Sequence, residues 1–271
     1  MGLRCKALVV FTYLVTKDLV YTLERKFGFP LEDATRDKIF SLEKNFLQEF
    51  WEYVPDSLEK VELDASFISQ KLEDVLSQKS YPIISLDRIY FSTLRSLEVT
   101  RLTNPVTGEV NLASRLGSKV LEEQIEQIDE QEVVLTDVGA FDGGTILEVV
   151  SLLENNGTNV AEIVLGVSST KAYKKLQGSN NIMTLNLFDI FEWIELRDLF
   201  GIDGRNVGFD KGSRLFIPYW ENLSQWASIS GKDELFVKKL CKEYNRALVG
   251  LLWQEGFNLN KIGTPVKYGG K

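Results

Sequence analysis

Histidine is missing from all 271 residues, and that absence narrows the chemistry before any motif is read. Without it there is no Ser-His-Asp or Cys-His nucleophile system, no imidazole ligand for zinc and no side chain that ordinarily titrates near neutral pH. Cysteine is almost absent as well. Cys5 and Cys241 stand far apart and in no metal-ligand spacing, so neither a disulfide framework nor a zinc site is expected. Positive charge is scarce: 31 Lys and Arg face 39 Asp and Glu, and a net charge of −8 leaves no basic field to draw in nucleic acid. The apolar stretch from Ala7 to Tyr21 is broken by Lys17 and Asp18 and is too short for a membrane span or a signal sequence. A cytoplasmic protein with neither membrane nor nucleic acid as partner is the expectation. Any chemistry has to run on carboxylates, backbone dipoles, cations or a borrowed metal.

What remains is ordinary globular material, 44% hydrophobic and 26% charged, long enough for a large α/β core with an added helical layer. Over residues 1–80 the apolar positions Ile39, Leu42, Phe46, Leu47 and Phe50 recur at helical spacing, with breaks near Gly28-Phe29-Pro30 and Pro55-Asp56-Ser57. This predicts a helical N-terminal extension. From Tyr81 the texture changes: Pro82 to Leu86 reads as a strand, and Ser96 to Leu102 with the turn Asn104 to Glu109 reads as half of a hairpin. Ser118 to Glu130 reads as a charged helix with a solvated face.

Glu132 to Asp137 reads as an apolar strand leading into a glycine-rich loop, Ile146 to Asn156 as a helix closing at Gly157, and Ala161 to Val167 as the next buried strand. Together they predict a parallel β-α-β unit. Asn181 to Leu187 suits a further strand, Gly201 to Trp226 is irregular and aromatic, and Asp233 to Gly256 suits a long amphipathic helix. The fold class expected is α/β, with a central mostly parallel sheet and helices on both faces. Its parts are the extension (1–80), the α/β core (81–230) and the C-terminal helix and tail (231–271).

The loop carries the chemistry. Val133-Val134-Leu135-Thr136-Asp137-Val138-Gly139-Ala140-Phe141-Asp142-Gly143-Gly144-Thr145 places a strand, a tight glycine turn and a helix start in succession, so that free N–H groups face an anion. This run resembles the signature of type I phosphoribosyltransferases, in which four apolar residues, two acids, a few small residues, Thr or Ser, and Gly-x-Thr follow one another. Val138 stands where the second acid belongs, and Asp142 where the Thr or Ser does. The stretches Glu98 to Arg101 and Trp193 to Asp198 are similar to patterns in a divergent bacterial group of that family.

The resemblance implies a fold of that type and a ligand, phosphoribosyl pyrophosphate or a related ribose 5-phosphate, whose phosphoribose is transferred to a base-type acceptor. It implies Mg²⁺ at the departing pyrophosphate. Asp137, the catalytic residue of the set, would hold the ribose hydroxyls. Gly139, Ala140, Phe141, Asp142, Gly143, Gly144 and Thr145 would bind the 5′-phosphate, with Arg88 and Arg101 completing the substrate-binding set. The metal ligands stay unassigned and a homodimer stays open.

The same loop also resembles the Asp-x-Gly-x-x-x-Gly turn of S-adenosylmethionine methyltransferases, although Gly166 to Thr170 supplies no acid after the next strand. A non-catalytic nucleotide-sensing or interaction module of the same fold is a third alternative. Plain roles compete elsewhere: Asp87-Arg88 as a surface ion pair, Trp193, Phe200, Phe216, Tyr219, Trp220 and Trp226 as core packing, Ser168-Ser169-Thr170 as a helix cap, and Arg197-Asp198 as a structural pair.

Overall fold

Short runs of Val, Ile and Leu, bounded by turn residues, form the central sheet, as strands buried on both faces do. The computed structural model describes residues 10–87, 89–91, 94–104, 107–115, 117–208 and 214–258. In chain order it begins with β1 (Thr12–Lys17), α1 (Leu19–Tyr21), α2 (Asp33–Phe50), β2 (Glu59–Asp64) and α3 (Ala65–Leu76). Then come β3 (Ile83–Ser85), β4 (Arg95–Ser96), β5 (Val99–Thr103), β6 (Val110–Ser114) and α4 (Leu121–Glu126). The centre is β7 (Glu132–Ala140), α5 (Gly144–Asn155), β8 (Asn159–Ser169), α6 (Thr170–Gln177) and β9 (Ile182–Phe188). It closes with β10 (Ile190–Glu195), α7 (Leu196–Leu199), β11 (Arg205–Gly208), β12 (Arg214–Ile217), α8 (Leu223–Trp226) and α9 (Lys232–Gln254).

Among the described residues the strands form three sheets, in the orders β4-β3-β7-β8-β9, β10-β1-β2 and β12-β11-β5-β6. Every pairing in the first two is parallel. The third joins the β5–β6 hairpin to the antiparallel pair β11–β12 through a parallel contact between β5 and β11. One face of the central sheet receives α4, α5 and α6, with Ile125, Val149, Leu153 and Leu176 packed on Val133, Leu135, Ile163 and Leu165. The other face receives α3, whose Ile68 and Leu72 lie on Val134, Val164 and Val167. This is the α/β architecture the sequence predicts. No helix among the described residues is long and apolar enough to cross a membrane.

Two local expectations change. The helices expected before residue 80 are present as α2 and α3, but the same stretch also supplies β1 and β2. Thr12 to Lys17 lies between β2 and β10 and is almost wholly buried, so it lacks the alternation that marks a half-exposed strand. The helix expected over Ser118 to Glu130 is confined to α4, because the Ile128 N–H turns back to the Ile125 carbonyl at 2.9 Å and its side chain enters the core. Phe200, Trp220 and Trp226 are core residues, packed with Phe46 and Phe50 of α2 and Val237 and Leu248 of α9.

Glu43 of α2 is buried inside this assembly, and its carboxylate accepts the Leu19 N–H at 3.2 Å. Burial pushes its carboxyl up to about 7 from an ordinary 4.5. Between those values the folded chain keeps a proton that the unfolded chain has released, so this group makes stability fall as pH rises through that window. Glu43→Gln is expected to flatten the loss of stability between about pH 5 and about pH 8. Urea midpoints at the two pH values measure it, and identical slopes for both proteins contradict the assignment.

Candidate functional site

From β3 the chain moves outward to β4, whereas from β7 it moves the opposite way to β8 and β9. The loops beyond β3 and β7 therefore part, leaving a crevice outside the carboxyl ends of the strands. A cleft of about 460 Å³ lies there. Leu86 and Asp87 after β3, residues 137–143 and Thr145 form one wall, and residues of β5, β10, α7 and β11 form the other.

The glycine loop is tighter than its sequence implies. β7 continues in the sheet through Gly139 and Ala140, which pair with Val167 and Ser168, so the turn itself is only Phe141-Asp142-Gly143. Gly143 has φ +73°, a left-handed conformation suited to glycine, and the chain enters α5 directly after it. Ser169 fastens this turn: its hydroxyl donates to the Phe141 carbonyl at 2.5 Å and accepts the Ala172 N–H at 2.9 Å, which also caps α6. The capping role expected for this stretch is present at Ser169.

Three residues of the loop have duties that the pattern alone conceals. Gly139 makes room for an indole ring, since a Cβ there would stand 2.3 Å from Cη2 of Trp193 and 2.6 Å from the Val167 carbonyl. That ring is held by an N–H donated to Thr16 Oγ1 at 2.9 Å. Val138 is buried with Ile68, Tyr90 and Val164 beneath α3, so a second acid at this position would be forced into a core. The Asp142 carboxylate accepts the Gly144 N–H at 2.8 Å and so occupies part of the amide-rich helix start itself.

Asp137 sits half-buried at the cleft floor, accepting its neighbour Val138's N–H at 2.8 Å. Burial, reinforced by the nearby Asp87 carboxylate, pushes its carboxyl up to about 7. Asp87 itself is committed to structure, its Oδ1 accepting the Ile89 and Tyr90 N–H groups at 2.7 and 2.8 Å. Ala140, Phe141, Gly143 and Thr145 line the cleft, as does the exposed Arg101, whereas Gly144 does not and gives its N–H to Asp142. Arg88 lies outside the described residues.

The far wall is built of charges the motif does not mention. Arg197 is buried, with its guanidinium 3.0 Å from Asp18 Oδ2 and paired to Glu195, and its backbone N–H donates to Asp18 Oδ1 at 3.0 Å. Lys26 meets Asp203 at 2.5 Å beside them. Burial pushes the Glu195 and Asp198 carboxyls up. Asp18 gave a sequence signal, as the acid breaking an apolar run. Glu192, Asp203 and Arg205 gave none. Among the described residues no group of three acids or cysteines is placed to hold a metal ion.

No protein-family model matches the chain, and no curated protein matches it. Its fold is similar to part of several solved structures. Adenine phosphoribosyltransferase from Thermoanaerobacter pseudethanolicus matches at 18% identity and a TM-score of 0.34, over 46% of this chain and 80% of that one. Orotate phosphoribosyltransferase from Aeropyrum pernix matches at 15% identity and 0.32, over 45% and 70%. Purine phosphoribosyltransferase from Pyrococcus horikoshii matches at 11% and 0.31, over 48% and 85%.

The close approach of Gly139 to Trp193 is directly testable. Gly139→Ala is expected to cost about 1–3 kcal/mol by overpacking, measured by urea unfolding. In a Trp193→Leu background the cost is expected to shrink by at least about 0.5 kcal/mol, since only the Val167 carbonyl then obstructs the new methyl. An unchanged midpoint for Gly139→Ala contradicts the contact.

Proposed function

We propose that the cleft binds a ribose 5-phosphate ligand, phosphoribosyl pyrophosphate or a close relative, and transfers its phosphoribose to a base-type acceptor. The observation that carries this reading is Asp137, a half-buried carboxylate at the cleft floor, three residues before β7 ends at Ala140 and gives way to the short turn that leads into α5. That spacing sets a ribose diol against the carboxylate while its 5′ end reaches the helix start and the Thr145 hydroxyl. The order of residues 133–145 supports the same reading.

In the transfer, the bond from C1′ to the pyrophosphate oxygen breaks with its electrons leaving on pyrophosphate, and an acceptor nitrogen forms the new bond to C1′. Ionised Asp137 orients the ribose hydroxyls, and the cleft's carboxylates favour positive charge growing on the sugar. Asp142 would turn away from the Gly144 N–H to admit a phosphate. Mg²⁺ would arrive on pyrophosphate oxygens, as such ions usually bind through few protein carboxylates.

Asp142 also favours a second reading. A carboxylate already at the helix start, in a cleft with seven acids and four arginines among its lining residues, suits a ligand without phosphate, such as the sulfonium cofactor of a methyltransferase. Thermal shift separates the two: ribose 5-phosphate is expected to stabilise the protein, and S-adenosylmethionine is not. Asp137→Asn is expected to weaken ribose 5-phosphate by about tenfold, the loss of charge-assisted bonds to two hydroxyls. With the wild type, affinity is expected to rise as pH increases through about 7, where Asp137 ionises. Stabilisation by S-adenosylmethionine alone overturns the transferase reading.

A further inference from the structure

Two consecutive residues near the start of the chain, Arg25 and Lys26, line no part of the cleft, yet each grips a different wall of it. They belong to a π-turn (Thr22–Lys26), closed by the Phe27 N–H returning five residues to the Thr22 carbonyl at 3.3 Å. Such a one-residue expansion of a helix is rare and recurs at functional sites. Leu23 and Phe27 enter the aromatic core, which anchors the turn, and Arg25 and Lys26 lie between them.

Arg25 holds the loop that follows β3. Its Nη1 donates to the Tyr90 carbonyl at 2.5 Å and to the Ile89 carbonyl at 3.4 Å, and the Ser69 hydroxyl donates to the same Tyr90 carbonyl at 3.0 Å. The guanidinium also lies 4.3 Å from the ring centre of Tyr21, whose ring meets that of Tyr90 at 5.9 Å. Because Asp87 takes the N–H groups of Ile89 and Tyr90, these two residues are clamped through their donors by a residue of the cleft and through their acceptors by Arg25. Lys26 holds the opposite wall. Its Nζ stands 2.5 Å from Oδ2 of Asp203, which lies in the connection from α7 to β11 and lines the cleft. A charge-assisted bond so little exposed fixes its partners firmly.

We infer that Arg25 and Lys26 are positioning residues that brace the cleft, fixing the spacing between the loop after β3 and the connection after α7. A ligand long enough to meet both walls depends on that spacing, and one confined to the floor does not. The inference rests on reading the cleft as a sugar-phosphate site and deepens it: selection among sugar phosphates by length comes from the N-terminal segment and from residues no ligand touches. An error of about 1 Å in such a spacing costs up to about a hundredfold.

Calorimetric titration of the full chain with ribose 5-phosphate and with phosphoribosyl pyrophosphate tests the brace in Arg25→Met and Lys26→Met. Ribose 5-phosphate, held at Asp137 and the glycine turn, is expected to bind both variants within about twofold of the wild type, and phosphoribosyl pyrophosphate to lose about tenfold or more. Lys26→Arg, which keeps a cation on Asp203, is expected to recover most of that loss. With ribose 5-phosphate bound, equal losses for both ligands, an unchanged ratio or absence of phosphoribosyl pyrophosphate binding to the wild type overturns the brace. Lys26→Met leaves Asp203 facing Arg197 at 3.9 Å, so it is expected to fold even where Arg25→Met does not. Hydrogen exchange of the unliganded proteins needs no ligand: Arg25→Met is expected to speed exchange at Ile89 and Tyr90, and Lys26→Met at Asp203 and Gly204, with β8 unaffected. Failure of the wild type to bind ribose 5-phosphate removes the proposed function, and exchange then decides. Unchanged rates at either place overturn the brace, and faster rates at both leave it standing.

Discussion

Arg197 carries its charge where water scarcely reaches, and the carboxylates around it come from separate places in the chain. Asp18 follows β1, Glu195 ends β10, and Asp203 lies after α7 and is shared with Lys26. Because β1 and β10 are parallel neighbours, Asp18 and Arg197 meet at the carboxyl ends of these strands and tie them together. Removing one partner of such a pair leaves an uncompensated buried charge, a loss of about 3–5 kcal/mol. The same guanidinium lines the cleft. The N-terminal segment is thus bound to the cleft wall through Arg197, and that wall depends on β1 and Asp18 being in place.

From that constraint follows the polarity of the cleft. Its floor holds a carboxylate raised into the neutral range, its glycine turn is already capped by a carboxylate, and two of its arginines, Arg115 and Arg197, are paired with acids. A dianion placed at the glycine turn has to displace Asp142 from the Gly144 N–H.

Much of this was legible in the residues, and the limits have physical causes. The unit β7-α5-β8 and the long α9 were readable because apolar periodicity and glycine punctuation coincide there. β1 escaped because a strand covered on both faces has no alternation to read. Asp137 was singled out by its match to the first acid of the signature that residues 133–145 resemble, but Gly139 and Val138 carry long-range contacts, with Trp193 and with the core beneath α3, that no local pattern encodes. Arg205 was invisible for the same reason: its partners are rings at Tyr219 and Trp226 and a neighbour at Arg101 set by strand register.

The central claim is that the switch-point cleft, floored by Asp137, is where this protein meets a sugar phosphate. Amide chemical shifts followed by NMR during a ribose 5-phosphate titration test it most directly. The account predicts saturable shifts concentrated at Asp137 and at residues 141–145, with the amides of α9, none of whose residues line the cleft, unaffected. Saturation with those amides unmoved, or shifts confined to another surface, would contradict it.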